Sequence, residues 1–327
     1  MADTDTNRQF TAQLTRSFAR VGVDVSPHAS IPLPPAHKFV VTTDTLIAGR
    51  HFPLETGAAD TGYKALAVNL SDLAAMGATP VATSLVLTLP ALQSGWLDRF
   101  AAGWAELAVR HQVVMSDLQC GPGGLALHVH AYGALPASQP GLLRSQARVG
   151  DRVFVTGTLG DAACALQCLG THGQVEPFLL SRLNRPAPRL AAGQALLGVA
   201  NAAIDISDGL AADLNHLCAR SGVGARIQLQ QLPFSPALSA VQAVDKCWEY
   251  ACGGGDDYEL CFTLPAHKVE LLRAKRQAMQ VPVSMIGEIV EPAGLCDTNV
   301  VFYTPDDKVW IPPRSGYEHF VDDETEA

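Results

Sequence analysis

The sequence lacks an apolar run long enough to cross a membrane, because its most apolar stretch, near residues 190–204, is interrupted by Gly193 and Gly198. Residues 1–20 are polar and mixed in charge, so a secretory signal is not expected there. The eight cysteines form no CxxC pair, which argues against a zinc site and against a disulfide framework. These absences predict a cytoplasmic protein with reduced thiols and no membrane association.

The sequence also lacks the usual nucleotide-binding and hydrolase motifs. No GxxxxGK[ST] run occurs, and there is no Rossmann glycine fingerprint after the first strand, no GxSxG and no HExxH. Basic residues do not dominate, since the formal net charge is −9, which argues against a nucleic-acid binder that relies on a basic surface. A nucleotide would have to be held through metal ions rather than by a phosphate-wrapping loop.

The 327 residues, of which 48% are apolar and 17% charged, predict a globular chain with two domains. Strand and helix patterns alternate in both halves, which indicates a layered α/β (α+β) fold. The stretch 136–150 is rich in Pro, Ser and Gly and predicts a linker. We therefore expect an N-terminal domain with a mixed sheet and helices, a C-terminal α/β domain and a disordered acidic tail, over residues 1–135, 151–320 and 321–327.

Three local patterns give further expectations. Residues 116–124 read as a flexible glycine-rich turn. Helices are predicted over 236–246 and from Pro186 to about Val199. His128 and His130 fall on one face of a strand; we favour a solvated face over a metal site, because no third ligand has a supporting spacing.

The stretch from Thr61 to Pro80 is the most informative. Its apolar residues recur at helical spacing, and nearly every other position is also apolar or small, so Asn69 and Asp72 are expected to face something other than bulk water. No Lys or Arg lies within a helical turn of Asp72. A carboxylate out of water needs a cation or hydrogen-bond donors. Asp72 is therefore either a metal ligand, which we favour, or a capping or inter-helix hydrogen-bonding residue.

Carboxylates recur at strand ends and in loops of both halves. Each alone is more often a turn or cap residue, but a converging set would need cations, and Mg²⁺ prefers oxygen ligands completed by waters and phosphates. The glycine turn 157–161 could also present amides to an anion, although such turns are common connectors. The candidate metal-binding acids are Asp24, Asp44, Asp72, Asp117, Asp205 and Asp208.

Five motifs together carry a resemblance that covers residues 20–320: TTDTLIAGRHF, GYKALAVNLSDLAAMGATP, DISDGLAADL, GGDDYELCF and SGYEHF. The chain resembles the thiamine-monophosphate kinases of the aminoimidazole-ribonucleotide-synthetase-like (AIR-synthetase-like) ATP-binding superfamily. The resemblance implies a two-domain protomer, a homodimer joined through the N-terminal domains, and ATP- and Mg²⁺-dependent phosphorylation of thiamine monophosphate to thiamine diphosphate, with several Mg²⁺ ions.

The resemblance also implies roles for particular residues. The family's metal ligands fall on Asp24, Thr42, Thr43, Asp44, Asp72, Asp117, Asp205 and Asp208. Its ATP contacts fall on Ser116, Asp117, Arg144 and Ser207. Its acceptor contacts fall on His51, Asp256 and Tyr317.

The chain departs from the family pattern at three places. Val23 replaces an acid before Asp24, Met115-Ser116-Asp117-Leu118 replaces Gly-Gly-Asp-Thr, and Asp256 replaces Glu. Two other functions therefore stay open at this point. One is a related enzyme with another acceptor, such as a selenophosphate synthetase, although the first cysteine is only at Cys120. The other is a non-catalytic nucleotide-binding relative.

Overall fold

The computed structural model describes residues 2–23, 25, 31, 33–171, 173–292 and 299–317. The predicted ligand Asp24 and the predicted disordered tail 321–327 lie outside these ranges. The described residues form two compact units. Unit 1 takes its residues from Met1–Gly141 and Asn184–Leu197, and unit 2 from Leu142–Leu183 and Gly198–Ala327. The predicted domain boundaries stay a prediction; the compact units differ from them in that residues 184–197 pack with unit 1.

Unit 1 combines helices with one mixed four-stranded sheet, as the sequence predicts. Its strands lie in the order β1-β4-β2-β3, with β2 and β3 parallel and the other neighbours antiparallel. Its elements are α1 (Ala2–Arg20), β1 (His37–Ile47), α2 (Ala58–Ala75), β2 (Thr79–Leu89), α3 (Ser94–Arg110), β3 (Val114–Pro122), β4 (Ala126–Pro136) and α6 (Leu190–Leu196).

The two faces of this sheet differ. Thr42, Asp44 and Leu46 of β1 alternate with the more exposed Val41 and Thr43, so one face is turned toward the helices and the other is open. Helix α2 lies on the helix side against β1 and β4. The open face, which we call the open sheet face, carries exposed apolar side chains on three of its strands, with polar residues such as His128 and His130 of β4 between them: Phe39, Val41, Ile47, Val86 and Val114.

Helix α2 is buried on nearly all sides, as its composition predicts. A Cβ on Gly62 would lie 2.1 Å from Phe100 O of α3, and one on Gly193 of α6 would lie 1.9 Å from Ala74 O. Glycine is therefore required where both helices approach α2 this closely. Arg185 also anchors the 184–197 segment in unit 1. Its guanidinium forms ion pairs with Asp60 and Glu106 and lies 5.2 Å from the ring centre of Tyr63.

Unit 2 is built on a seven-stranded sheet with helices, and its strand order is β11-β10-β7-β9-β5-β8-β6. Among the strands that the structure describes in this unit, β7 and β10 are parallel neighbours and the other neighbouring pairs are antiparallel. Its elements are β5 (Asp151–Thr156), α4 (Asp161–Gly170), α5 (Pro177–Asn184), β6 (Ala202–Ile206), α7 (Leu210–Ser221), β7 (Gly224–Gln228), α8 (Pro236–Val241), α9 (Val244–Gly253), β8 (Glu259–Pro265), α10 (Val269–Ala274), α11 (Arg276–Met279), β9 (Val283–Val290), β10 (Val300–Tyr303) and β11 (Val309–Trp310).

Three local expectations are wrong. Residues 116–124 are mostly strand β3 rather than a flexible turn, because Ser84–Leu89 of β2 pair with Asp117–Pro122 and this non-local pairing overrides the glycine signal. The helix expected over 236–246 is two helices, since Gln242 and Ala243 adopt extended backbone between α8 and α9. The helix expected from Pro186 is shorter: α6 begins at Leu190 and ends at Leu196. Among the described residues, no helix has the length and apolar character to span a membrane.

Candidate functional site

Strand β1 positions three of the predicted ligands, and strand geometry separates them. Thr42 and Asp44 face the helices, and the Thr42 Oγ1 donates a short hydrogen bond to Asp72 Oδ2 on α2. Thr43 points to the open sheet face, where its hydroxyl contacts His130 Nδ1 at 2.7 Å. The structure therefore brings Asp72 together with β1 on the helix side. It does not place Thr43 with them, because neighbouring strand residues point to opposite faces.

Asn69 and Asp72 confirm that this edge of α2 is turned away from bulk water. Asn69 is fully buried and donates through Nδ2 to Ala65 O, while Asp72 is half-buried. The close packing of α3 and α6 against α2 leaves the helix little freedom to shift. The Asp72 carboxylate is thus presented to β1 from a rigid support, which a binding site needs.

His51 has a defined orientation in the turn after β1. The Ile47 amide donates to His51 Nδ1 at 2.9 Å. An amide N–H can only donate, so Nδ1 accepts, and the proton of the neutral ring lies on Nε2. The Nε2–H is then a donor suited to a phosphate oxygen.

Ser116 and Asp117 lie on β3, at the other edge of the sheet. Ser116 occupies an irregularity in the pairing and donates through Oγ to Thr83 O at 3.0 Å. Asp117 is opposite Ser84, which is opposite His130, which is opposite Thr43. Three strand spacings of about 4.8 Å separate Asp117 from β1 by about 14 Å.

Asp117 also faces the open side rather than the helix side. Its Oδ1 accepts a hydrogen bond from the Leu118 amide at 2.9 Å. Within unit 1 the structure therefore does not bring Asp117 together with Asp44 and Asp72. The roles of Ser116 and Asp117 toward metal and ATP stay predictions.

In unit 2, strand β6 ends at a loop that carries Ser207 and Asp208. Asp205 is buried on β6 itself. The Asp256 amide donates to Ser207 O at 2.9 Å, and the Tyr317 amide donates to Asp208 O at 3.0 Å. The structure thus brings Asp208, Asp256 and Tyr317 to adjoining loops, although they lie far apart in the sequence.

Asp213 is a buried residue that the sequence analysis missed. Its Oδ2 accepts hydrogen bonds from the amides of Ser207, Asp208 and Gly209 at 3.0, 3.0 and 3.2 Å. Burial, reinforced by the carboxylates of Asp205 and Asp208, raises the pKa of Asp213 well above its usual range. The signal was available: an acid in the first turn of a helix is favoured by the positive end of the helix dipole, and Asp213 lies in the first turn of α7.

Asp257 likewise binds a backbone amide, in the glycine turn 157–161. Both carboxylate oxygens of Asp257 accept the Gly160 amide at 3.0 Å. Burial raises the pKa of Asp257 well above its usual range, although the Arg182 guanidinium opposes this. The amide of Gly160 in the 157–161 turn, considered above as an anion site, is therefore already bound by a carboxylate of the chain.

Arg144 lies away from these loops. Its carbonyl accepts a hydrogen bond from Ser221 Oγ at 2.8 Å, and Ser221 is the last residue of α7. The 12 residues of α7 span about 18 Å, and Ser207 and Asp208 precede its first residue. Within unit 2 the structure does not bring Arg144 together with Ser207, and its contact with ATP stays a prediction.

The donor chemistry fits a hard divalent cation. The candidate ligands supply oxygens only, from Asp carboxylates and Thr hydroxyls, and Mg²⁺ typically takes one or two carboxylates and completes its shell with waters and phosphates. Over the described ranges no three His, Cys, Asp or Glu side chains lie close enough to hold a metal ion by themselves. The oxygen donors on these residues are compatible with Mg²⁺, which keeps water and phosphate oxygens in its shell.

Comparisons with known proteins extend over most of the chain. The model of the AIR synthase related protein N-terminal domain matches residues 27–117, and that of the C-terminal domain matches residues 148–295. The chain is 41% identical over 301 residues to thiamine-monophosphate kinase of Escherichia coli strain K12, covering 90% of each chain.

Two solved structures are similar along nearly their whole length. Thiamine-monophosphate kinase from Stenotrophomonas maltophilia K279a is 36% identical, with a TM-score of 0.80 over 91% of this chain and 97% of that one. AaThiL complexed with AMPPCP and TMP is 30% identical, with a TM-score of 0.75 over 94% and 96%.

Proposed function

The chain belongs to the thiamine-monophosphate kinases among the AIR synthase related proteins, and from that premise we propose how its residues share the reaction. The reaction is the ATP-dependent phosphorylation of thiamine monophosphate to thiamine diphosphate. A relative with another acceptor and a non-catalytic relative are the less favoured alternatives, because the match to kinases covers nine-tenths of the chain.

The observation that carries the assignment of roles is the gathering of Ser207, Asp208, Asp256 and Tyr317 on adjoining loops of unit 2. Ser207 is proposed to contact ATP and Asp208 a metal ion. Asp256 and Tyr317 are proposed to contact the acceptor. In unit 1, Asp72 and its partner Thr42 are the proposed metal ligands on the helix side.

The remaining roles follow the family pattern. We propose metal ligation by Asp24, Thr43, Asp44, Asp117 and Asp205, ATP contacts by Ser116, Asp117 and Arg144, and an acceptor contact by His51. The geometry of His51 supports this acceptor contact: its Nδ1 accepts the Ile47 amide, so the neutral ring carries its proton on Nε2 and can donate there.

The proposed mechanism needs positioning rather than a general base. The phosphate oxygen of thiamine monophosphate is already nucleophilic at neutral pH, so the chain has to align it in line with the γ-phosphoryl group of ATP. Bound Mg²⁺ supplies charge neutralisation between the two polyanions. The carboxylates of Asp72 and Asp208 hold their places because α2 is closely packed and loop 207–209 is bound by Asp213.

The test is ADP release with ATP, Mg²⁺ and thiamine monophosphate, compared with unphosphorylated thiamine. We expect turnover with the phosphate ester only. Asp72→Asn and Asp208→Asn should each abolish turnover while circular dichroism and thermal unfolding stay near wild type, and Asp245→Asn, on the exposed first turn of α9, is the control. Wild-type rates in either variant would refute the metal roles, and equal turnover of thiamine would refute the acceptor.

We further propose that the chain forms a homodimer through the open sheet face of unit 1. Exposed apolar side chains on one contiguous sheet face favour burial against a partner. Val41 of this face and Val244 of α9 are both 54% exposed, so they offer a matched pair. Val41→Glu should shift sedimentation toward the monomer and Val244→Glu should not; equal behaviour of the two variants would refute this interface.

We propose a cytoplasmic location because the described cysteines are free thiols. The seven cysteines that the structure describes are all free, and six of them are buried. A reducing compartment suits such a set. Recovery of the kinase activity in a membrane or secreted fraction would contradict this location.

A further inference from the structure

Arg182 joins two loops of unit 2 from its position on α5. Its Nη2 donates to the carbonyls of Thr158 and Asp257, at 3.3 Å each, and to Glu259 Oε1 at 2.9 Å. Its Nε lies 3.5 Å from Asp161 Oδ2. One planar guanidinium, with donors in a fixed arrangement, thus connects the turn after β5 to the loop before β8.

The acids around Arg182 are buried and have further partners. The side chains of Asp161 and Glu259 are fully buried. Thr156 Oγ1 donates to Glu259 Oε2 at 2.7 Å, and Ser235 Oγ donates to Asp161 Oδ1 at 2.5 Å. Because a buried carboxylate is unfavourable without a cation, the guanidinium is required for this arrangement. The guanidinium also contacts several acceptors at once, which the compact ammonium group of a lysine cannot do.

The loop that Arg182 holds has an unusual backbone. Asp256 and Tyr258 have φ angles of 70° and 50°, in the left-handed region that residues other than glycine seldom adopt. Their amides donate to Ser207 O at 2.9 Å and to Ile206 O at 2.7 Å. Such a conformation persists only where the surroundings hold it, and Arg182 binds the carbonyl of the residue between the two.

We propose that Arg182 is a positioning residue that fixes the loop 254–258 and thereby sets the affinity for the phosphorylated acceptor. The proposal rests on the proposed function, because Asp256 is the acceptor contact of that loop. Arg182 acts through the loop: it binds the carbonyl of Asp257, whose side chain points to Gly160.

The first test is Arg182→Lys, which keeps the charge and removes the planar set of donors. Its matched control is Arg152→Lys, which alters a half-exposed ion pair with Glu288 in the same sheet. We expect Arg182→Lys to raise the KM for thiamine monophosphate roughly ten- to hundredfold while the KM for ATP stays near wild type. A folded Arg182→Lys variant with the wild-type KM for thiamine monophosphate would overturn the proposal.

Hydrogen exchange gives a readout that does not need substrate. Arg182→Lys should speed exchange of the amides of Asp256 and Tyr258, and Arg152→Lys should not. If wild type fails to phosphorylate thiamine monophosphate, the proposed function falls, whereas faster exchange still supports the positioning role and unchanged exchange refutes it. If Arg182→Lys does not fold, Glu259→Gln, which weakens one contact of Arg182, decides the matter: faster exchange supports the proposal and wild-type exchange overturns it.

Discussion

Asp213→Ala removes the carboxylate that binds three consecutive amides of loop 207–209. The amide of Gly209 is buried, and an unsatisfied buried donor costs about 1–3 kcal/mol. The amides of Ser207 and Asp208 belong to half-buried residues, so water replaces part of what they lose. The loss in the free energy of unfolding should total about 2–4 kcal/mol.

Asp213→Asn separates the hydrogen bonds from the charge. Its carbonyl oxygen can still accept the amides, and because burial and the neighbouring acids raise the pKa of Asp213, the charge contributes less than that of an exposed acid. We expect the free energy of unfolding of Asp213→Asn to lie within about 1 kcal/mol of the wild-type value.

Urea unfolding at pH 7 measures both variants, with Asp245→Asn as the exposed control. The KM for ATP should rise in Asp213→Ala, because the loop carries Ser207. If Asp213→Ala matched wild type in stability and in KM, then the amide contacts would not hold the loop and this reasoning would be refuted.

Three further predictions concern burial. The pKa of Asp257 is raised in the folded state, so the unfolding free energy of wild type should fall as pH rises from the unfolded pKa of about 4 toward the folded pKa, by at most about 1.4 kcal/mol per pH unit. Asp257→Asn should lack this pH dependence when both proteins are unfolded in urea at several pH values. Parallel curves of unfolding free energy against pH would contradict the prediction. Burial raises the pKa of Cys120 to about 11 and of Cys218 to about 12, so iodoacetamide at pH 8 should leave both unlabelled in the native protein and label them in urea by mass spectrometry; rapid native labelling would be inconsistent with this. Gly193→Ala, whose Cβ would lie 1.9 Å from Ala74 O, should cost about 1–3 kcal/mol by thermal unfolding, and an unchanged melting temperature would show that α6 can shift away.

Elements with a strong local pattern were predictable. Phe10, Leu14 and Phe18, four residues apart, are buried on α1, and the small and apolar run of α2 is buried as expected. These cases follow from side-chain periodicity, which is a local property. The pairing of Thr42 with Asp72 is consistent with the expected burial of Asp72, although the partner itself could not be read from the sequence.

Strand order was not predictable, and it decides the placement of Asp117. Asp44 and Asp117 are both predicted metal ligands, yet β1 and β3 form opposite edges of the sheet. A pattern along the chain does not report which strands become neighbours, since pairing depends on contacts between distant residues. Arg144 is similar: the Pro- and Gly-rich composition of its segment predicts a linker but not the contact with the end of α7.

The buried acids of unit 2 bear on how phosphate can be bound. Glycine turns such as 157–160 and 207–209 present backbone amides that commonly hold phosphate oxygens. Here Asp257 occupies the Gly160 amide and Asp213 occupies the amides of 207–209. A phosphate could therefore bind these amides only by displacing an acid of the chain that already accepts their hydrogen bonds. This supports the proposed binding of phosphate through Mg²⁺ rather than by backbone amides alone, with Asp213 and Asp257 in structural roles and Asp208 as the proposed ligand.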